Sequence, residues 1–506
     1  MIEEIESNHP PHLLFKELQS SPYSFFLDSA TGRESSGRFS FLGCEPFLVF
    51  KSKRDSVSLE WNDGRIDKLK SNPFLVLKEL FQKFTILPAP AQECGIPFVA
   101  GGVGYFGYDM KDFIEKLPDI SRDDLSVPDC AIGFYDTVLA FDHLKGKTYL
   151  SSVEFEGIRT NARTKIEAAL SANRDMYHFF NDEDRNNKMV RVPSAALSGG
   201  GLRSNFTKAG YMKTVQVAKE YIKRGDIYQV NLSQRFEADL KGEPYGLYLR
   251  LRDASPAPFA SYLNFKDVII ISSSPERFLM KKGSYIETRP IKGTSPRSSD
   301  PLTDELNEIS LRESYKDRAE HIMIVDLERN DLGRICEYGS VKPTEFITLE
   351  KYSTVFHLVS TVTGKLKDGV DPIDCIKATF PGGSITGAPK VRSMEVIEEL
   401  EPVKRSLYTG AIGYISFDGN MDTSIVIRTI VVKGDKLYFS VGGGIVADSD
   451  PEKEYYETLD KAEGIMRALY ESRPFGKKPY VARLNMIGKQ TKYDRQNKNK
   501  SAKGAG

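Results

Sequence analysis

The sequence predicts an α+β protein, and three observations carry that prediction. Short apolar, β-rich segments broken by Gly, Asp and Asn fill residues 13–150. Helical and strand-like stretches mix from 206 to about 470. Late in the chain, strands are joined by Asp-Gly and Gly-Asp pairs, which mark antiparallel hairpins.

The elements follow in order. Phe39–Leu42, ended by Gly43, then Pro46–Phe50 and Thr137–Phe141 read as strands. Residues 159–180 read as a helix. Residues 181–205 are polar, contain Asn-Asn and Gly-Gly-Gly, and show no period, so they read as a linker between an N-terminal region (1–180) and a catalytic region (206–472). Lys213–Arg224 and Ser310–Glu328 read as helices, the second a long one. Gly410–Phe417, Thr423–Val432 and Leu437–Val441 read as antiparallel strands. Pro451–Tyr470 is a final helix, with Asp450 as its N-cap and Pro451 in its first turn. Residues 473–506 carry seven Lys and three Arg against one Asp, and read as a disordered basic tail. No internal repeat is visible.

Composition excludes several classes. The chain has 506 residues, 40% hydrophobic and 28% charged, the profile of an ordinary globular protein. Net charge is zero, so nothing global points to nucleic acid or an anionic membrane. Five widely spaced cysteines without a C-x-x-C argue against a disulfide framework or a structural zinc site. The acidic start Met1–Glu6 lacks the pattern of a signal peptide, and apolar runs such as Val268–Ile271 are too short to span a bilayer. The expectation is a cytoplasmic enzyme.

Several constellations can carry chemistry. Lys292 sits in Thr288-Arg289-Pro290-Ile291-Lys292-Gly293-Thr294, shortly after Ser274-Pro275-Glu276; its ammonium is either a surface charge or a nucleophile. Asp317 and Glu320 share one helical face, as do Glu454 and Glu457, with Lys461 one turn further on. Meeting faces suit Mg²⁺, which favours oxygen ligands; the same spacing fits two solvated acidic faces. Gly442-Gly443-Gly444, placed between a strand and a helix N-terminus, is either an anion site or a tight turn, and so is the segment from Pro381 to Lys390. A G-x-G-x-x-G at Gly102–Gly107 lacks the acidic residue that a dinucleotide fold requires about 20 residues on. His357 lies in an apolar run, where a hydrogen-bonded core histidine is the ordinary reading. Arg428 interrupts an apolar strand; pointing inward, it needs a carboxylate from protein or ligand.

These pieces, in this order, resemble the chorismate-utilising enzymes: anthranilate, aminodeoxychorismate, isochorismate and salicylate synthases. The resemblance runs from near Phe25 to about Leu469. It rests on Gly225-Asp226-Ile227-Tyr228-Gln229-Val230-Asn231-Leu232, Ser274–Phe278, Lys316-Asp317-Arg318-Ala319-Glu320-His321, the 381–390 segment, and Gly442 to Glu457. It implies an anthranilate synthase component I-like fold, with two large antiparallel sheets packed together and helices outside. It also implies Mg²⁺ on Glu320 and Glu457, with Asp317 and Glu454 holding the metal's waters. Lys461 then sits beside the ring carboxylate of chorismate. Tyr408, Arg428, Gly442 and Gly443 match the enolpyruvyl carboxylate pocket. His357 lines the ring site near Thr294, and Glu276 matches the general acid for the departing 4-hydroxyl.

Two positions discriminate within the family. Water-adding members carry a lysine base where this chain has Gln229. Anthranilate synthases read Pro-Ile-Ala-Gly-Thr where this chain has Lys292, and the lysine form is typical of aminodeoxychorismate synthase component I. Phe26-Leu27-Asp28-Ser29 and Ala257-Pro258-Phe259 depart from the patterns of tryptophan-inhibited members. No Gly-x-Cys-x-Gly glutaminase nucleophile is visible, so the resemblance implies ammonia from a separate glutamine amidotransferase subunit. The expected activity is amination of chorismate to 4-amino-4-deoxychorismate for 4-aminobenzoate and folate. The alternatives are an anthranilate synthase component I and a non-catalytic chorismate-binding subunit.

Overall fold

The computed structural model describes residues 1–7, 9–29, 37–87, 95–180, 201–298, 300–352 and 355–470, with the backbone alone for 173–180. The basic tail and most of the expected linker lie outside these residues; at the linker's end, Arg203–Ser204 pairs as a short strand with Gln229–Asp239.

Among the described residues two twelve-stranded sheets are built of antiparallel pairs. The first runs from Ile2–Ile5 through Phe25–Asp28, Phe259–Asn264, Val268–Ser274, Thr429–Lys433 and Lys436–Ile445 to Gln229–Asp239 and Arg203–Ser204. The second has Ile291–Pro296 at one edge. It continues through Val355–Lys365, Tyr285–Arg289, Arg277–Lys282, Met421–Ile425, Ala411–Ser416 and Gly101–Phe106 to Ile66–Lys70. Strands from before residue 180 and from after residue 200 thus lie side by side in both sheets.

One apolar layer fills the space between the sheets, with Phe25, Phe41, Leu263 and Ile270 from the first meeting Val103, Tyr105, Ile412 and Tyr414 from the second. Ring pairs cross the layer, such as Phe25–Tyr135 at 4.6 Å and Phe41–Tyr414 at 5.4 Å. The outer face of each sheet is covered by helices. Pro11–Leu18, Pro244–Ala254 and Pro451–Tyr470 pack on the first, and Pro73–Lys83, Tyr315–Gly333 and Pro372–Thr379 on the second. Burial on both faces explains why strands such as Gly101–Phe106 and Thr137–Asp142 are buried at every position and show no apolar–polar alternation. The sequence-level expectation of two packed antiparallel sheets with outer helices holds. No helix among the described residues is long and apolar enough to cross a membrane.

Local signals placed several elements correctly. Pro451–Tyr470 is a helix, and the Asp450 carboxylate accepts from the N–H groups of Glu452 and Lys453 at 3.1 and 2.9 Å. The Asp418-Gly419 and Gly434-Asp435 turns close the hairpins expected of them. Three expectations need correction. The single helix over Ser310–Glu328 is two, Pro301–Glu313 and Tyr315–Gly333. Ser314 breaks them, turning extended (ψ 108) so that its hydroxyl caps the Asp317 N–H at 3.2 Å. The strand over Thr423–Val432 is also two, Met421–Ile425 in the second sheet and Thr429–Lys433 in the first. The chain changes sheet between them, and Arg428 adopts φ +49 there. Finally, Gly442–Gly444 does not end a strand. It lies inside Lys436–Ile445, where its three glycines pair with Ser233, Leu232 and Asn231.

Candidate active site

The site forms where the far end of the first sheet faces the edge of the second. Gly442–Gly444 supply its floor. The neighbouring strand Thr429–Lys433 pairs with this strand only as far as Phe439, so the glycine edge beyond is open toward the site. The missing side chains matter. A Cβ at Gly444 would meet Gln229 Nε2 at 2.4 Å and lie 3.6 Å from Lys292 Nζ. A Cβ at Gly443 would meet Glu454 Oε2 at 3.3 Å and Glu457 Oε1 at 3.4 Å, and one at Gly442 would meet the Tyr408 hydroxyl at 3.0 Å. Three bare backbone positions thus let a lysine, an amide, two carboxylates and a phenol approach one short stretch of strand. Their function is close approach rather than the tight turn considered from sequence.

Lys292 projects from the edge strand Ile291–Pro296. Among the described residues no carboxylate lies within 4.0 Å of its Nζ and no hydrogen-bond acceptor holds it. Burial and the neighbouring Lys461 cation lower its pKa, against the pull of Glu320, Glu276 and Glu457. Gly293, at φ +84, lets the strand turn under the helix that follows; any Cβ there would press on Leu311 and on the Asp317 Cβ at 3.1 and 3.2 Å.

Glu276 sits between strands Val268–Ser274 and Arg277–Lys282 and is 5% exposed. Its Oε1 accepts from the Ser384 hydroxyl at 2.6 Å. Burial raises its pKa, while Ser384 and Lys292 oppose the rise. The result is a carboxyl held toward its protonated form beside an amine held toward its neutral form.

The carboxylates line the opposite wall. Glu454 accepts from Ser449 through Oε1 at 2.6 Å, while its buried Oε2 has no partner; burial raises its pKa. Glu457 pairs with Lys461 at 2.7 Å, and Lys461 also donates to the Gly442 carbonyl at 2.9 Å. Glu320, on the facing helix Tyr315–Gly333 with Asp317, has its pKa raised by burial and by the charges of Asp317 and Glu457. The orphaned Glu454 Oε2 beside Glu457 Oε1 fits an oxygen-seeking divalent cation. Among the described residues no three Asp, Glu, His or Cys side chains converge on one point, so Asp317, Glu320, Glu454 and Glu457 are not gathered into one ligand set here.

At the other end, His357 Nδ1 and Thr294 Oγ1 lie 2.9 Å apart as a cross-strand pair. His357 Nε2 is buried and unpaired, and burial, helped by the Arg428 cation, pushes the imidazole down to about 3. Among the described residues Arg428 has no carboxylate partner; of the two sources the sequence left open, protein or ligand, the protein supplies none. Gln229 is fully buried, and neither its Nε2 nor its Oε1 has a partner. Buried polar atoms left unpaired in this way are what a polar ligand satisfies.

The 381–390 segment does not form an anion cradle. The Gly383 N–H donates to Glu328 Oε1 at 3.0 Å, and Lys390 pairs with Asp331 while donating to the Thr379 carbonyl at 2.9 Å. Its role in the site is to deliver Ser384, which sequence reasoning missed. Gly102–Gly107 is likewise no nucleotide loop. Gly101–Phe106 is a central strand, and a Cβ at Gly104 would lie 2.0 Å from the Ala131 carbonyl oxygen.

Comparisons with known proteins follow this geometry. The family description "chorismate binding enzyme" matches residues 23–467. The chain is 38% identical over 469 residues to the anthranilate synthase component 1 of Acetivibrio thermocellus, covering 91% of this chain and 93% of that protein. It is 39% identical over 455 residues to the aminodeoxychorismate synthase component 1 of Escherichia coli strain K12, covering 90% and 95%. The crystal structure of anthranilate synthase component I from Streptococcus pneumoniae TIGR4 superposes with a TM-score of 0.72 at 31% identity, over 86% of this chain and 93% of that one.

Proposed function

This chain belongs to the chorismate binding enzymes, and within them we propose that it aminates chorismate at C4, as component 1 of an aminodeoxychorismate synthase. The observation that carries this reading is Lys292: an amine in the cleft without a counter-ion, its pKa lowered by burial and by Lys461, beside a carboxyl whose pKa is raised. A neutral amine is a nucleophile and a protonated carboxyl is a general acid.

In the proposed sequence the Lys292 amine attacks C2 of the ring. The two conjugated ring double bonds each shift one position around the ring toward C4, the C4–O bond breaks, and Glu276 gives its proton to the departing oxygen, which leaves as water. Ammonia then attacks C4, both double bonds shift back, and the C2–N bond to Lys292 breaks. The nitrogen entering at C4 returns a proton to Glu276, so chorismate and ammonia become 4-amino-4-deoxychorismate and water. Arg428, with Tyr408 and the open glycine edge, binds the enolpyruvyl carboxylate, and His357 and Thr294 border the ring. Glu320 and Glu457, aided by Asp317 and Glu454, are the residues to hold Mg²⁺, which when bound neutralises the ring carboxylate. Gln229, uncharged, supplies no base to activate water. Ammonia comes from a separate glutamine amidotransferase, in keeping with the "component 1" names of the relatives.

A second reading, component 1 of an anthranilate synthase, is favoured by relatives of that name at similar identity. One experiment separates the two. The purified chain is incubated with chorismate, Mg²⁺ and an ammonium salt, and the product is identified by mass. An aminated ring that keeps its enolpyruvyl group is expected; anthranilate with pyruvate overturns the proposal.

A further inference from the structure

We infer that Arg405 is a positioning residue of the site: one buried guanidinium fixes the three chain segments that carry Ser384, Gln229 and Tyr408. The inference deepens the proposed amination and rests on that reading for its reaction.

Arg405 lies behind the cleft and is 5% exposed. All five of its N–H donors are used. Nε donates to Glu401 Oε2 at 2.9 Å, and Nη2 to Glu401 Oε1 at 2.7 Å. The second Nη2 proton goes to the Asn231 carbonyl at 2.6 Å. Nη1 donates to the Ile385 carbonyl at 3.1 Å and to Thr409 Oγ1 at 3.2 Å. Each of these last three acceptors stands next to the site. Ile385 follows Ser384, the hydroxyl that holds Glu276. Asn231 is two residues along the strand from Gln229. Thr409 follows Tyr408, and the guanidinium also lies 5.7 Å from the Tyr408 ring centroid.

An ion pair serving stability alone is complete with Glu401, whose Oε1 is anchored by the N–H and hydroxyl of Ser233 at 2.8 and 2.9 Å. The remaining donors reach the Asn231 strand, the Ser384 segment and Thr409; the first two segments also meet through the Gln229–Ala388 and Val230–Gly387 pairs, and Arg405 ties both to its own segment, which carries Tyr408. A planar fork of five donors can do this, whereas a lysine ammonium, with three donors at one point, cannot. Asn231 reinforces the same junction, its Nδ2 donating to the Ile385 carbonyl at 3.1 Å and its N–H to Thr386 at 2.8 Å. Misplacing a reacting group by a fraction of an ångström is costly, so the registration of Ser384 sets how well Glu276 is aimed.

The test uses the full chain and the variants Arg405→Lys, Ser384→Ala and their combination. Chorismate consumption is followed whatever aminated product forms, so an error in C4 regiochemistry leaves this inference standing. Thermal unfolding confirms that each variant folds. Arg405→Lys is expected to lower kcat about 10- to 100-fold with a smaller change in KM. It should also move the alkaline limb of the pH–rate profile upward, as Ser384→Ala does. The double variant should be within about twofold of the slower single one, since both act through one hydroxyl. A folded Arg405→Lys with wild-type kcat and an unmoved limb overturns the inference, and so does a double variant whose loss is the product of the two single losses. Should Arg405→Lys not fold, Glu401→Gln keeps the guanidinium but removes its anchor; the same drop in kcat with a shifted limb supports the inference, and an unmoved limb overturns it.

Discussion

Ser384 Oγ lies 2.6 Å from Glu276 Oε1 and donates to it, although 108 residues separate them in sequence. Burial raises the Glu276 pKa above its ordinary 4.5, and this bond opposes the rise because it favours the ionised carboxylate. A general acid works while protonated, so the rate falls as pH climbs through the Glu276 pKa. Ser384→Ala removes a hydrogen bond to charge, worth about 1.5–3 kcal/mol. The falling limb of the pH–rate profile should therefore move up by roughly one unit or more. A limb that stays in place, or moves down, removes Ser384 from the control of Glu276.

Lys292 supplies the rising limb, because its amine attacks only when neutral. Its pKa is lowered from 10.5 by burial and by Lys461, so the rate should rise with pH through a point below that value. Chorismate without ammonia should leave an adduct on Lys292 with the mass of chorismate less water. Lys292→Ala should abolish the adduct and C4 amination; by restoring Pro-Ile-Ala-Gly-Thr it opens C2 to direct attack by ammonia. Lys292→Arg should rescue neither, since a guanidinium stays protonated. Peptide mapping checks this, and an unmodified Lys292 after incubation sinks the covalent route while sparing the family assignment.

Glu454 and Glu457 meet at Gly443, and Glu320 faces them. Glu320→Gln or Glu457→Gln should weaken Mg²⁺ binding, measured by calorimetry on the resting protein, and cost several kcal/mol in kcat/KM. Wild-type Mg²⁺ affinity in Glu320→Gln would take that residue out of any metal site. Gly443→Ala places a methyl group 3.3 Å from Glu454 Oε2 and should impair the same binding without changing a charge.

His357 offers a prediction on stability. Its imidazole is held down to about 3 in the fold against an ordinary 6.5. Between these values the unfolded chain binds a proton that the folded chain does not, so stability is present above 6.5 and is lost as pH falls. The loss from this residue is about 1.4 kcal/mol per pH unit below 6.5. His357→Asn should be less stable than wild type at pH 7, and the gap should narrow as pH falls to 4. Denaturant melts at several pH values measure it; His12 and His321, each also lowered to about 4, cancel in the difference. A gap that widens toward acid refutes the account.

Purified on its own, the chain should turn over chorismate with ammonium salts at alkaline pH and not with glutamine. Glutamine-dependent turnover in a rigorously purified sample would contradict the assignment of ammonia release to another subunit.

What the sequence made legible was local. The helix Pro451–Tyr470 announced itself because Asp450 and Pro451 act within one turn. The break at Ser314 had a local sign too, a serine three residues before Asp317, but the apolar spacing runs on across it. The split of Thr423–Val432 had one sign, the charge of Arg428 between the two halves, where the chain changes sheet. Both halves are largely buried, so the side-chain pattern does not say which sheet each one joins. The carboxylate pairs were visible through helical spacing, yet the approach of Glu454 and Glu457 to Gly443 is tertiary. Ser384 sat in plain view among glycines, and the chemistry nearest to it in sequence pointed to anions. Arg405 had one local sign, its partner Glu401 four residues earlier, whereas its bonds to the Asn231 and Ile385 carbonyls join distant segments that no local pattern reveals.

The weaving of early and late strands has a consequence for biosynthesis. Phe25–Asp28 finds its neighbour at Phe259–Asn264, and Gly101–Phe106 finds one of its own at Ala411–Ser416. A nascent chain therefore leaves the ribosome with unfinished sheet edges, and Gln229–Asp239, which meets the two-residue strands Arg203–Ser204 and Gly387–Ala388 earlier, gains its full-length partner when Lys436–Ile445 has been made. Such edges invite pairing with other chains. The sheets close when the last strands arrive, so a chain stopped just before Lys436 leaves Gln229–Asp239 without its full-length partner.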